Sequence, residues 1–109
     1  HYGGAFPTWL SPIQAVVLPI SDKHTPYAQK VVASLKQANV RVELNAKNEP
    51  LNARIRDAEM QKVPSILVVG DKEVSSNSVS VRSRGSKETA VRSLSDFTSS
   101  LTHAIINRT

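Results

Sequence analysis

The chain has 109 residues, enough for one domain that buries roughly two-thirds of the surface its unfolded form exposes. It carries 14 Lys and Arg against 9 Asp and Glu, a net charge of +5, which favours polyanionic partners, nucleic acid before anionic membrane. Without cysteine it has no disulfide framework and no thiolate metal site, which fits a reducing compartment, and no apolar run approaches the roughly 20 residues of a membrane span.

Residues 1–13 read as an irregular linker, because Pro7 and Pro12 interrupt any regular element while Phe6, Trp9 and Leu10 offer apolar contacts. The start, His1-Tyr2-Gly3-Gly4, has neither the basic region nor the apolar stretch of a signal peptide. It also lacks an initiator Met, so the chain is expected to be a piece of a longer protein, with residues 14–109 as its domain. Ala15-Val16-Val17-Leu18-Pro19-Ile20 is apolar almost throughout, the pattern of a strand buried on both faces of a parallel sheet. Thr25 as N-cap and Pro26 at the first helical position start a helix whose stripe is Ala28, Val31, Val32, Leu35 and Ala38. Asn39 takes the left-handed conformation that ends it. Val40-Arg41-Val42-Glu43-Leu44 alternates as a half-exposed strand. A polar loop, Asn45 to Glu49, leads to a second helix that begins at Pro50, buries Leu51, Ile55 and Ala58, and is closed by Pro64.

Ser65 to Val69 is the third strand. It is expected to run through Gly70-Asp71-Lys72 into Glu73-Val74, turn at Ser75-Ser76-Asn77-Ser78, and return as Val79 to Arg84. In that hairpin Val79 and Val81 point to one face, and Ser80, Arg82 and Arg84 to the other. Gly85 to Arg92 reads as a loop. Ser93, with Asp96 three residues later, caps a last helix buried through Leu94, Phe97, Leu101, Ala104 and Ile105. The order β-α-β-α-β-β-α describes an α/β domain with a parallel core and an antiparallel hairpin.

Catalytic signals are missing. His1, His24 and His103 lie far apart with no ligand-like neighbours, and they read as solvated surface groups rather than a metal site. No phosphate-cradling glycine loop and no nucleophile elbow occurs, and Asp57 and Glu59 do not share a helix face. A small stand-alone enzyme is therefore the weakest functional reading.

Three features carry chemistry. Glu73 with Arg82 and Arg84 forms the polar face of the hairpin. An ionised Glu only accepts hydrogen bonds, which matches the N1–H and N2–H₂ donors of an unpaired guanine, and Arg offers a planar fork to carbonyls and phosphates. On the residues alone, a cross-strand Glu–Arg pair worth under about 1 kcal/mol is the better reading. The second feature is the loop Asn45-Ala46-Lys47-Asn48-Glu49. Asn48 reads first as a helix cap and second as a base contact, and the loop follows a strand's carboxyl end, where open α/β sheets bind ligands. The third is the set of helix cations Arg54, Arg56 and Lys62, which read as a solvated face or as phosphate contacts.

His1-Tyr2-x-Gly4-Ala5-Phe6-Pro7-x-Trp9-Leu10-x-Pro12-x-Gln14 resembles the junction that leaves the catalytic core of bacterial-type threonyl-tRNA synthetases. Asn48-Glu49, Ile55-Arg56-x-Ala58, Gln61-Lys62-Val63-Pro64, Leu67 to Val74 and Val79-x-Val81-Arg82-x-Arg84-Gly85 resemble their C-terminal anticodon-binding domain. The resemblance spans nearly the whole chain, and the G-D-K-E-V segment with its V-x-V-R return is its most specific part. It implies a mixed sheet of about five strands flanked by three helices. It implies that the domain reads the G and U of the threonine anticodon, with the base-reading Asn, Glu and Arg on Asn48, Glu73 and Arg82. Lys47, Arg54, Lys72 and Arg84 would be phosphate or auxiliary contacts.

The resemblance further implies a fragment that is not itself catalytic and holds no metal or cofactor. Its parent ligase would charge threonine tRNA using ATP, Mg and Zn in the catalytic domain reached through residues 1–13. That parent would be a homodimer, with no membrane partner, in the cytoplasm or an organelle. The sister class IIa synthetases for proline, histidine and glycine, and a domain of the same fold repurposed for protein interaction, are the alternatives. The chain departs from the family pattern where Pro50 replaces a basic residue, Ser65 an aromatic and Asn39 a glycine.

Overall fold

A computed structural model describes residues 7–84 and 88–108. The strands are β1 (Ala15–Pro19), β2 (Val42–Leu44), β3 (Ser65–Val69), β4 (Ser78–Ser83) and β5 (Thr89–Ser93). The helices are α1 (Thr25–Gln37), α2 (Leu51–Met60), α3 (Asp71–Ser76) and α4 (Leu94–Ile106). One mixed sheet in the order β2-β1-β3-β4-β5 results, parallel from β2 to β3 and antiparallel from β3 to β5. The expected mixed sheet is present.

Sheet register decides which residues share a face. Val17, Leu67 and Val81 stand in one row, and the side that also holds Val79 packs on α1 and α4 through Val31, Leu35, Phe97 and Leu101. The opposite side carries the rows Val16, Ile66, Arg82 and Leu18, Val68, Ser80. There α2 covers β1 and β3 through Ala58, with Leu51 and Ile55 packed alongside. The apolar cluster stops at Ile66, and beyond it Val91 of β5, opposite Ser80, is 68% exposed. The β4–β5 half of this face is open.

Several boundaries differ from the expectations. A 3-10 turn, Asp22–His24, precedes α1, so the cap position of α1 is His24 rather than Thr25, while Ser21 caps the turn and its backbone N–H donates to the His24 ring. Asn39 ends α1 in the left-handed region, φ 63°, as expected. The second helix stops earlier than Pro64 because Lys62, φ 60°, turns the chain after Gln61. The largest correction concerns Gly70 to Asn77. The expected strand extension through Glu73 and Val74 is helix α3, ended by Asn77 at φ 53°. A Cβ at Gly70 would stand 2.5 Å from Ile20 Cδ1 and 3.3 Å from Glu73 Oε1, so a larger residue there would require the half-exposed Ile20 side chain to move. Part of the expected loop Gly85 to Arg92 is the exposed edge strand β5, while Gly85 itself lies outside the described residues.

Of the segment expected as a linker, residues 1–6 lie outside the described residues, and residues 7–13 pack on the rest of the chain. Thr8–Leu10 forms a 3-10 turn, Arg41 donates to the carbonyls of Trp9 and Ser11, and buried Gln14 donates to Thr8 O. The Arg108 guanidinium stacks 4.9 Å from the Trp9 ring.

Candidate nucleic-acid interface

Three loops meet at the carboxyl ends of the parallel strands: Ile20 to His24 after β1, Asn45 to Pro50 after β2, and Gly70 with α3 after β3. The first two frame a cleft of about 240 Å³ lined by Pro19, Ile20, Asp22, Lys47, Asn48 and Arg54. Asn48 and Lys47 are exposed on its lip. Asn48 is not the N-cap of α2, which is Pro50. The cap explanation for Asn48 therefore falls away.

Glu73 belongs to the first turn of α3 and is 7% exposed. Its Oε1 accepts the Gly70 N–H at 2.7 Å and its Oε2 accepts the Ser80 hydroxyl at 3.2 Å. The carboxylate thus closes the helix start and ties α3 to the open face of β4. Behind it, Tyr27 donates its hydroxyl to Ser78 O at 2.7 Å. Burial first, and the Glu73 charge second, hold that phenol above its ordinary value.

Arg82 does not pair with Glu73. It lies opposite Ile66, four residues from Gly70 and so about 13 Å along the sheet at strand rise. Its Nη2 meets Glu59 Oε2 of α2 at 3.1 Å, with the side chains 25% and 46% exposed, while its buried Nε has no partner among the described residues. Arg84 lies farther still. Its Nη1 donates to Lys62 O and its backbone N–H to Pro64 O, at the opposite end of β3 from Gly70. The expected Glu73, Arg82 and Arg84 cluster is therefore a line along the open face, with Ser80 between the first two.

Arg54 is the clearest relocation. Expected as an exposed phosphate contact, it is 4% exposed and donates to carbonyl oxygens. Arg56, Lys62 and Lys72 remain exposed. His24 is likewise not solvated: it is 5% exposed, and its Nε2 lies 2.8 Å from Asp71 Oδ1, joining the loop after β1 to the start of α3. The hydrogen bond from His24 first, and Lys23 second, hold the Asp71 carboxyl below its ordinary value. Among the described residues no cluster of three or more His, Asp or Glu is arranged to hold a metal ion.

Sequence reasoning missed Ser80 as the partner of Glu73, Glu59 as the partner of Arg82, and the His24–Asp71 contact. For Ser80 a signal existed. Glu73 stands three residues after Gly70 with Asp71 in the same turn, the pattern of a helix start, and that start turns Glu73 toward β4. No local signal marks Glu59 as the partner of Arg82.

Comparison with known proteins places these features in context. Residues 14–103 match a family model described as an anticodon binding domain. The chain is 45% identical over its whole length to a threonine–tRNA ligase of Desulforamulus reducens, of which it spans 17%. It is 47% identical over 99% of its length to that of Clostridium tetani, again spanning 17% of the relative. The chain thus spans about a sixth of these curated relatives. Among solved structures, it superposes on the RNA binding domain of threonyl-tRNA synthetase from Cryptosporidium parvum Iowa II with a TM-score of 0.90 and 30% identity, covering 94% of this chain and 26% of that one. A prolyl-tRNA synthetase from Cryptosporidium parvum shares the fold at a TM-score of 0.82 and 24% identity, covering 95% of this chain and 23% of that one.

Proposed function

This chain belongs to the anticodon-binding-domain family, of the threonyl-tRNA synthetase type, and from that premise we propose that it reads the G and U of the threonine anticodon for a parent threonine–tRNA ligase. The observation that carries the reading is the family match across residues 14–103. The site geometry supports it. A sheet face left open beside α2 presents a guanidinium at Arg82, the Glu73 carboxylate lies at its edge, 7% exposed and held by Gly70 and Ser80, and Asn48 stands on the lip of the neighbouring cleft. Unstacked anticodon bases expose the edges that such groups recognise. Lys47, Lys72 and Arg56 are exposed cations suited to phosphate, which fixes position rather than sequence.

In this reading the ligation chemistry, with its ATP, Mg and Zn, belongs to a catalytic domain joined through residues 1–13, in a homodimeric cytoplasmic parent. The test is binding of a threonine anticodon stem-loop against the same loop with A in place of the middle G, at one stated salt concentration. The expected preference for G is about tenfold or more, the scale of one specific base contact. Equal affinity for the two loops refutes base reading.

A further inference from the structure

The loop that carries Asn48 has no helix cap of its own, since Pro50 occupies the cap position and lacks a side-chain hydrogen bond. Among the described residues, no hydrogen bond holds the Asn48 side chain in place either. Yet both ends of the loop are tied to one group. Arg54, on the first turn of α2, donates Nε to Glu49 O at 3.1 Å and Nη1 to Asn45 O at 3.0 Å. The same Nη1 reaches Pro19 O at 2.8 Å, and Nη2 reaches Ile20 O at 3.5 Å. The guanidinium therefore bridges the loop after β1 and the loop after β2, the two walls of the cleft.

A buried cation is costly unless its donors are met, and among the described residues no carboxylate pairs with this one. Four carbonyls at the ends of strands and loops take that role. They in turn need a planar group with several donors in fixed directions, which arginine has and lysine lacks.

We propose that Arg54 is the positioning residue of this site: by bridging Pro19, Ile20, Asn45 and Glu49 it sets the Asn48 loop in the geometry that reads a base. The inference rests on Asn48 acting as a base contact. Arg54 itself is too deeply buried to touch RNA, so its effect passes through the loop.

The test uses the 109-residue chain with R54M, R54K and N48A, singly and with N48A added to R54K, each bound to the stem-loops with G or A at the middle position. Amide hydrogen exchange is followed at residues 45–49 and across β1 and β3. R54M removes every donor. R54K keeps the charge but cannot span four carbonyls, and it carries the test if R54M does not fold. For R54K we expect core exchange near wild type, faster exchange at 45–49, and roughly tenfold weaker binding, the scale of one lost base contact. N48A should cost almost nothing further in the R54K background. A role in stability alone would lower the melting temperature while leaving both loop exchange and the N48A effect of the folded chain unchanged, and that result overturns the proposal. A wild-type chain without preference for G refutes base reading instead. Loop exchange then still decides whether Arg54 holds the loop.

Discussion

Glu73 closes the start of α3, the proposed function gives it a second job as guanine reader, and the substitution Glu73→Gln divides the two. As a cap, the side chain must accept the buried Gly70 N–H at 2.7 Å and engage the Ser80 hydroxyl at 3.2 Å. A glutamine does both, because its carbonyl accepts from Gly70 while its amide donates to Ser80 Oγ, whose hydrogen rotates away. What it loses is a negative charge in the first turn of a short helix, worth about 0.3–1 kcal/mol. Glu73→Ala, in contrast, leaves a buried N–H without a partner, a cost of about 1–3 kcal/mol in addition to that charge. Chemical denaturation should therefore rank wild type and E73Q close together, with E73A about 2 kcal/mol below. For RNA the ranking differs. Opposite the two donors of guanine, an amide presents one donor of its own, and both variants should lose about 1–3 kcal/mol of the preference for G over A. E73Q with full stability and full guanine preference would refute the carboxylate as the reader. E73Q as unstable as E73A would refute the capping argument.

Two further perturbations address the neighbours. Glu59→Ala should cost under about 1 kcal/mol, because the pair with Arg82 is partly exposed, and it should tighten stem-loop binding several-fold at low salt by releasing the guanidinium and removing a negative charge. Weaker binding in a filter or fluorescence assay would show instead that Glu59 holds Arg82 in its working position. Asp71→Asn should flatten the acid limb of stability. A carboxyl held low by His24 and Lys23 contributes fully above its ordinary value of 3.8, and this contribution is lost as pH falls through the lowered folded value. Thermal midpoints followed from neutral pH into the acid range should fall more steeply for wild type than for D71N, and parallel curves would contradict the assignment.

The elements with a strong period were legible in the sequence, and those held by tertiary contacts were not. β1 announced itself as an unbroken apolar run, and α4 through Ser93, whose hydroxyl accepts from Asp96 N–H as the capping pattern requires. The two faces of β4 followed from alternation, with Val79 and Val81 in the core. By contrast, α3 has six residues and one apolar side chain, too little for a periodic signal and too short to form alone. It exists because Glu73 closes its start and Asn77 turns its end. β5 is exposed at every residue, so no burial pattern marks it. Arg54 looked like any surface cation because its partners are backbone carbonyls, which leave no trace in side-chain identity.

The same reasoning resolves the tension at Arg82. From residues alone, an ion pair was the better account of this arginine, and family resemblance favoured a base contact. The structure does contain an ion pair, although to Glu59 across the α2 packing rather than to Glu73 across the strands. The two accounts are compatible on magnitude. A pair with one partner 46% exposed is worth about 0–1 kcal/mol, and a specific base contact about 1–3 kcal/mol. The buried Nε without a partner weakens the free arrangement further. On the proposed function, exchange of Glu59 for RNA is therefore downhill, and the ion pair is a resting position for the guanidinium rather than a competitor to base reading.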